Sequence, residues 1–334
     1  MPAAGSSKST QPYDPSHYVA RSHEERLALE SLAQSRVAFV EGPVRAGKSW
    51  FVRCLGEALS QECPVRLAAV NCAELPADAE LDELYELIAV QVVHTLDGPP
   101  AWLQAMRQSP LTGSRRLTKL MTGHVLPSQD GLLVLAFSQI DDFASTRCGD
   151  ELFGLLRSWA SLPSLLSLRV VVEAESLRGP ELERTYLYYY RNQVISPVRL
   201  QPFGPAQAAE LAAHHGLAWR GEAVERLVEH LGGHPYLLRL AAIAGAEQGL
   251  DPDTLVKEGV ARGVFADHLN PLRDALGDEA LRRAAKEVAA SMRSHLREGP
   301  YLRLERLGLV TRDARDKPPR LSAPIYHHLV GGTR

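Results

Sequence analysis

The chain has 334 residues, 45% of them hydrophobic, which is about two domains' worth of sequence with enough apolar content to build real cores. No run approaches the roughly 18–20 uncharged apolar residues that a spanning helix needs, and Met1 to Lys8 lacks the apolar segment of a secretory signal, so a soluble, cytoplasmic protein with no membrane partner is expected. The net charge of −3 conceals a basic C-terminal piece: residues 271–334 hold 13 Lys/Arg against 8 Asp/Glu, and the rest holds 24 against 32.

Residues 1–16, rich in Ser, Pro and Gly, are expected to form a disordered leader. His23 to Leu32 then places Leu27, Leu29 and Leu32 as the apolar positions of a first helix, and Val37 to Val40 is a strand-like run. Directly after it, Gly42-Pro43-Val44-Arg45-Ala46-Gly47-Lys48-Ser49 spells G-x-x-x-x-G-K-S ahead of a helix-like stretch from Trp50 to Leu59. The chemistry needs this spacing: glycines let the backbone fold into a nest of N–H groups at a helix N-terminus, where phosphate oxygens bind. Lys48 is placed to reach the β- and γ-phosphates and the Ser49 hydroxyl to take one position on Mg²⁺. Gly42 through Trp50 are therefore the candidate residues for a nucleotide, ATP or ADP, no guanine-reading N-K-x-D being present.

Further along, Val65 to Val70 is a second strand candidate, Leu81 to Thr95 an amphipathic helix, and Leu132 to Phe137 a fully apolar strand. Glu151 to Trp159 reads as helix and Leu168 to Val172 as another strand. Strands alternating with helices imply a parallel sheet with both faces covered and ligands at the carboxyl ends of its strands. After Pro202 the pattern becomes helical: Pro205 to His214, Gly221 to Leu231 and Pro235 to Glu247, broken by Gly232-Gly233-His234-Pro235. Leu281 to Glu298 is rich in Ala and Arg. Tyr301 to Tyr326 reads as helix, turn, strand, charged hairpin tip (Asp313 to Pro319) and second strand, the order of a winged helix.

A P-loop ATPase also needs carboxylates on a second strand, one for the metal and one to activate water. Leu132 to Phe137 is its only plausible host, and Ser138 and Gln139 follow it. Two registers are open: the strand ends at Phe137 and leaves Ser138 and Gln139 in the acidic positions, or it runs through Ile140 so that Asp141 or Asp142 does the metal work. The strand ending in Glu173-Ala174-Glu175-Ser176 presents acids where a γ-phosphate sensor is expected; a solvent-facing cap on the sheet edge is favoured over Glu173 as a substitute metal ligand. Arg184 and Arg191 flank Tyr186-Leu187-Tyr188-Tyr189-Tyr190 and are candidates for a trans-acting arginine, and the cluster reads as a loop packed on the lid ahead of a base-stacking surface. Cys54, Cys63, Cys72 and Cys148 have neither zinc nor disulfide spacing, and the doublets His214-His215 and His327-His328 have no ligand spacing.

From about Tyr18 to Val330 the chain resembles the bacterial AAA-like domain of signal-transduction (STAND-type) P-loop NTPases. Tyr18-Val19-Ala20-Arg21, the phosphate loop, Ile140-Asp141, Leu200 to Phe203, Gly232-Gly233-His234-Pro235-Tyr236-Leu237 and Leu307 to Val310 carry the likeness. It implies an α/β fold, an AAA+-like P-loop NTPase sheet sandwiched by helices, with domains at 17–200 (core), 201–265 (all-helical lid) and 266–334 (winged helix). In that family the second strand ends I-D-E-I-D. Laying this on Phe137 to Asp141 puts Ser138 at the metal aspartate and Gln139 at the catalytic glutamate, so ATP binding survives while hydrolysis is slow or absent; Asp141 is the alternative catalytic residue. The resemblance also implies that Pro235 packs near adenine and that Tyr18 and Val19 line the base pocket.

Two functions follow as expectations. The first is an ATP/ADP-binding regulatory switch acting with a partner protein of a bacterial signalling or defence system, with a nucleotide-dependent oligomer as its assembled form. The second is a DNA-associated AAA+ ATPase holding duplex DNA through residues 271–334, with Arg282, Arg283, Lys286, Arg293, Arg303, Arg306 and Arg312 as phosphate contacts. A small-molecule kinase, which would carry a short arginine-bearing lid and no winged-helix tail, is disfavoured.

Overall fold

The computed structural model describes residues 14–76, 78–144, 146–176, 197–291, 298–312 and 318–331. Five strands form one parallel sheet: β1 (Val37–Glu41), β2 (Val65–Asn71), β3 (Leu132–Ser138), β4 (Leu168–Ala174) and β5 (Val198–Arg199), in the spatial order β2-β3-β4-β1-β5. All four pairings are parallel, and the register sets Val40 beside Glu173, Phe137 beside Val172, and Asn71 beside Ser138. The strands are Val/Leu/Ala-rich because both faces are covered. Helices α1 (Ser22–Ser35) and α2 (Lys48–Leu59) pack on one face around Ala38, Val40, Phe51, Leu55, Ala136 and Val171. Helix α3 (Leu81–Thr95), the short α4 (Ala101–Arg107) and α5 (Ser114–Leu120), and α7 (Arg147–Ser161), which follows the single turn α6 (Ile140–Phe143), close the other around Phe39, Val70, Phe137 and Val172.

The second half is helical: α8 (Pro205–His214), α9 (Glu222–Leu231), α10 (Pro235–Gln248), α11 (Pro252–Glu258), α12 (Ala266–Ala275), α13 (Glu279–Ala289) and α14 (Glu298–Arg306). A two-stranded antiparallel hairpin, β6 (Val310–Thr311) with β7 (Arg320–Leu321), and α15 (His327–Val330) complete it. One apolar cluster runs through this half, from Val19, Phe203 and Leu211 through Leu227, Leu237 and Phe265 to Leu304, Ile325 and Tyr326. Arg184, Arg191 and the intervening tyrosines lie outside the described residues, as do Arg293 and most of the charged hairpin tip. Among the described residues no helix is long and apolar enough to cross a membrane.

Gly232 and Gly233 hold this half against its neighbours. Both have left-handed backbones, with φ of 61° and 64°. A Cβ on Gly232 would sit 2.5 Å from the Ser322 carbonyl, and one on Gly233 would sit 2.4 Å from that of Phe203. The Phe203 N–H donates to the Gly233 carbonyl at 2.8 Å. The pair therefore fixes where α10 begins relative to both the hairpin and the sheet. Gly232→Ala meets left-handed strain and a backbone clash together and is expected to cost at least about 2 kcal/mol. Urea unfolding of the variant checks this; unchanged stability contradicts it.

Candidate functional site

The phosphate loop is built by its backbone. Arg45 and Gly47 both take left-handed φ, 63° and 90°, one residue apart, which curls the chain into a concave turn before α2. Gly47 is the N-cap of α2 without a side-chain hydrogen bond, so the first-turn N–H groups of α2 are left for a ligand, at the positive end of the helix dipole. A Cβ on Gly47 would meet nothing within 4 Å, so the backbone angle alone demands glycine, and the space in front of it is open. Lys48 Nζ donates to the carbonyls of Gly42 (2.6 Å) and Pro43 (3.0 Å). Burial holds its pKa below the usual lysine value, countered by the nearby charges of Glu175, Glu173 and Asp141.

A cavity of about 630 Å³ opens from this loop. Its polar end holds Lys48, Ser49, Ser138, Gln139, Asp141 and Glu173; its other end holds Tyr18, Val19, Trp50, Leu211, His215 and Pro235. Val44, Arg45, Ala46 and Gly47 also line it, whereas Gly42 and Pro43 face a second cavity behind the loop. The structure thus gathers most of the sequence candidates in one cavity, where Lys48 stands among the acids Asp141, Glu173 and Glu175 and the lining also includes Tyr18, Val19, Trp50 and Pro235. A phosphate loop beside aromatic and apolar side chains is a lining chemically suited to a nucleotide.

The second strand does not continue through Ile140. β3 ends at Ser138, Gln139 takes a left-handed conformation (φ 56°), and α6 starts at Ile140. Asp141 enters the site on that helical turn, where its carboxylate accepts the N–H groups of Glu175 (2.7 Å) and Ser176 (3.1 Å). Burial raises its pKa, and those hydrogen bonds together with Arg306 and Lys48 pull it back. Asp141 thus ties the α6 turn to the end of β4.

Glu173 is not a solvent-facing cap. It is only 5% exposed, because β4 runs on through buried Ala174 and Glu173 pairs with Val40 of β1 inside the sheet. Ser49 Oγ donates to its Oε2 at 3.2 Å. Burial raises the Glu173 pKa, opposed by Lys48 and the Ser49 hydrogen bond, and burial together with the charge of Asp141 pushes half-buried Glu175 up to about 7.

Several further side chains complete the site, in roles that the sequence pattern did not assign them. Arg21, 4% exposed, donates to the carbonyls of Gln201 (2.5 Å) and Ala46 (3.2 Å) and lies over the Phe203 ring, binding the back of the loop to the start of the helical half. His234 Nε2 meets the Val44 carbonyl at 3.1 Å, so that nitrogen carries the proton. The Val44 N–H donates to the Arg306 carbonyl at 3.1 Å. Arg306 also places Nη1 3.2 Å from Asp142 and Nε 3.7 Å from Asp141. Arg45 donates to the Asp267 carbonyl at 2.7 Å and lies over the Tyr236 ring. Among the arginines considered for DNA, Arg306 is therefore turned into the site, while Arg303 faces Asp278, Arg283 faces Glu279 and Arg312 lies over Tyr301.

A family model described as "AAA-like domain" matches residues 6–328. The chain belongs to the AAA-like domain family. Among solved structures, this AAA-like chain is similar to the Walker-type ATPase PABY2304 of Pyrococcus abyssi, with a TM-score of 0.65, 18% identity and coverage of 97% of this chain and 99% of that one. The Aeropyrum pernix ORC2 protein in its ADPNP–ADP complexes gives a TM-score of 0.58 at 16% identity over 97% and 94% of the two chains, and its ADP form 0.52 at 18% over 96% and 94%. No curated protein matches the chain. At these identities the structural matches establish the fold, that of a P-loop NTPase of AAA+ type.

Burial drives the His234 pKa down to about 4, against which the Val44 hydrogen bond acts, and Arg45 and Lys48 add to the depression. The sign follows from proton uptake: between pH 6.5 and 4 the unfolded chain binds a proton that the folded one refuses, so stability falls as pH drops through that window, by up to the order of 3 kcal/mol. His234→Asn, which keeps an N–H donor without a titrating ring, is expected to flatten the fall in melting temperature between pH 6.5 and 4 relative to wild type. Parallel curves for the two proteins contradict this.

Proposed function

We propose that this AAA-like protein is an ATP- or ADP-binding regulatory switch with slow or absent hydrolysis, whose readout is the docking of its C-terminal half on the phosphate loop. One observation carries the reading: the loop that would hold the phosphates is the surface on which the C-terminal half rests, through Val44, Arg45, His234 and Arg306. Nucleotide affinity and docking then share one equilibrium, and a ligand that prefers the docked state shifts the population towards it.

In this reading the first-turn amides of α2 and Lys48 take the phosphates. Tyr18, Val19, Trp50 and Pro235 enclose the base, and Mg²⁺ sits beside Ser49. Bound Mg²⁺ supplies charge neutralisation of the phosphates. Ser138 and Gln139 line the phosphate end of the cavity without a negative charge, and both Asp141 oxygens already accept backbone N–H groups, so no free carboxylate stands at the family's water-activating position. Loss of a general base lowers a rate by about 10²–10⁴-fold, which suits a switch that stays set. The helices and hairpin from α13 to α15 serve as a winged helix that a partner protein of a signalling or defence system reads, with assembly into a nucleotide-dependent oligomer as a further consequence. The inward ion pairs of Arg306 favour this over duplex DNA as the ligand of residues 271–334.

Arg306→Ala removes the bonds to Asp141 and Asp142 and is expected to weaken ATP binding about 5-fold or more, the lower end of ordinary coupling energies; equilibrium binding with a fluorescent ATP analogue measures it, and unaltered affinity would break the link between docking and ligand. Steady-state phosphate release should be barely above background in wild type and should rise by up to about 10²-fold in Gln139→Glu. Brisk wild-type hydrolysis that is abolished by Asp141→Asn would instead make Asp141 the catalytic residue.

A further inference from the structure

We propose that Glu173, on β4, is the protein carboxylate that holds the divalent cation beside Ser49, replacing the acid that β3 lacks. This rests on the nucleotide-site reading above and takes up the residue that the sequence alone favours as a solvent-facing cap.

The sheet register supplies the first argument. Phe137 pairs with Val172, so Ser138 lies level with Glu173, which in turn pairs with Val40. Laterally paired residues of parallel strands point to the same face, and Val40 belongs to the face packed by α2. Ser138 and Glu173 thus occupy the same height on the α2 side, but β4 adjoins β1 and the phosphate loop, whereas β3 is one strand further away. The negative charge has moved one strand, roughly 4.8 Å, towards Lys48 and Ser49.

Distance supplies the second. Ser49 Oγ and Glu173 Oε2 are 3.2 Å apart. Two oxygens at right angles on an octahedral Mg²⁺ with Mg–O distances of about 2.1 Å lie about 3.0 Å from each other, so this pair already spans one edge of such a shell within a few tenths of an ångström. Mg²⁺ on a nucleotide uses one or two protein carboxylates with the phosphates and water, so a cage is not required. Among the described residues no group of three His, Cys, Asp or Glu is placed to hold a metal unaided.

Elimination supplies the third. Both oxygens of Asp141 are already held by the amides of Glu175 and Ser176, which direct it to the end of β4, and Asp142 is bonded to Arg306. Ser138 brings no charge. Glu173 is the acid of the site bonded to the phosphate-loop hydroxyl, and a carboxylate this buried stays ionised only when positive charge opposes it. A metal-competent site next to an uncharged Gln139 gives retention of nucleotide with little turnover.

The test is ATP titration of the full chain in Mg²⁺ and in EDTA, with bound Mn²⁺ read by electron paramagnetic resonance of the nucleotide complex. In wild type the metal should tighten binding by about tenfold or more, and in Glu173→Gln, which keeps the size of the side chain and an acceptor for Ser49, that gain should vanish with the Mn²⁺ signal while binding in EDTA persists. Glu173→Asp, with the charge withdrawn by one methylene, should keep part of the gain and guards against misfolding of the first variant. Full metal dependence in Glu173→Gln overturns the proposal, as does its loss in Ser138→Ala instead. Wild-type binding that is equal in the two buffers overturns the metal assignment alone; no wild-type binding in either overturns the nucleotide reading with it.

Discussion

The arrangement depends on the peptide groups at Val44. Its N–H is satisfied by the Arg306 carbonyl and its carbonyl by the His234 imidazole, both supplied from the C-terminal half. Val44 is half-buried and lies outside any helix or strand, so partners for these two groups come from elsewhere in the fold. Unseating the C-terminal half therefore strips the phosphate loop of bonds that hold its curvature, and reshaping the loop unseats the C-terminal half. A loop of only eight residues becomes a two-sided contact, with phosphate amides on one side and protein docking on the other.

Electrostatics sharpens the coupling. Half-buried Lys48 donates to two loop carbonyls and sits in the field of Glu173, Glu175 and Asp141, while Arg306 pairs with Asp141 and Asp142. A triphosphate and its cation entering this space would redistribute charge among all of these groups. Asp141 accepts from the amides after β4 and lies 3.7 Å from Arg306, so it forms a second bridge, beside Val44, between the site and the C-terminal half.

Much of the fold was legible because it is local. The phosphate loop, the helices over Leu81–Thr95 and Pro205–His214, and the apolar strands carry their periodicity and punctuation in consecutive residues, and the structure places them within a residue or two. The strand order was not legible, since which strand adjoins β1 is settled by packing across the sheet. That omission mattered at the site: Glu173 reads as a charged strand end in the sequence, and only adjacency of β4 to β1 turns it towards Ser49. Asp141 was picked for its charge, but its engagement with the amides after β4 depends on a left-handed turn at Gln139 that no local signal announces. Arg21, His234 and Arg306 act through carbonyls 25 to 190 residues away or through paired acids, partners that a linear pattern does not reveal.

Amide hydrogen exchange with and without saturating ATP tests the shared-loop claim most directly. The account predicts slower exchange over residues 47–51 together with altered exchange across 298–312, whose helix end bonds Val44. Protection over 47–51 with no change across 298–312 would contradict it.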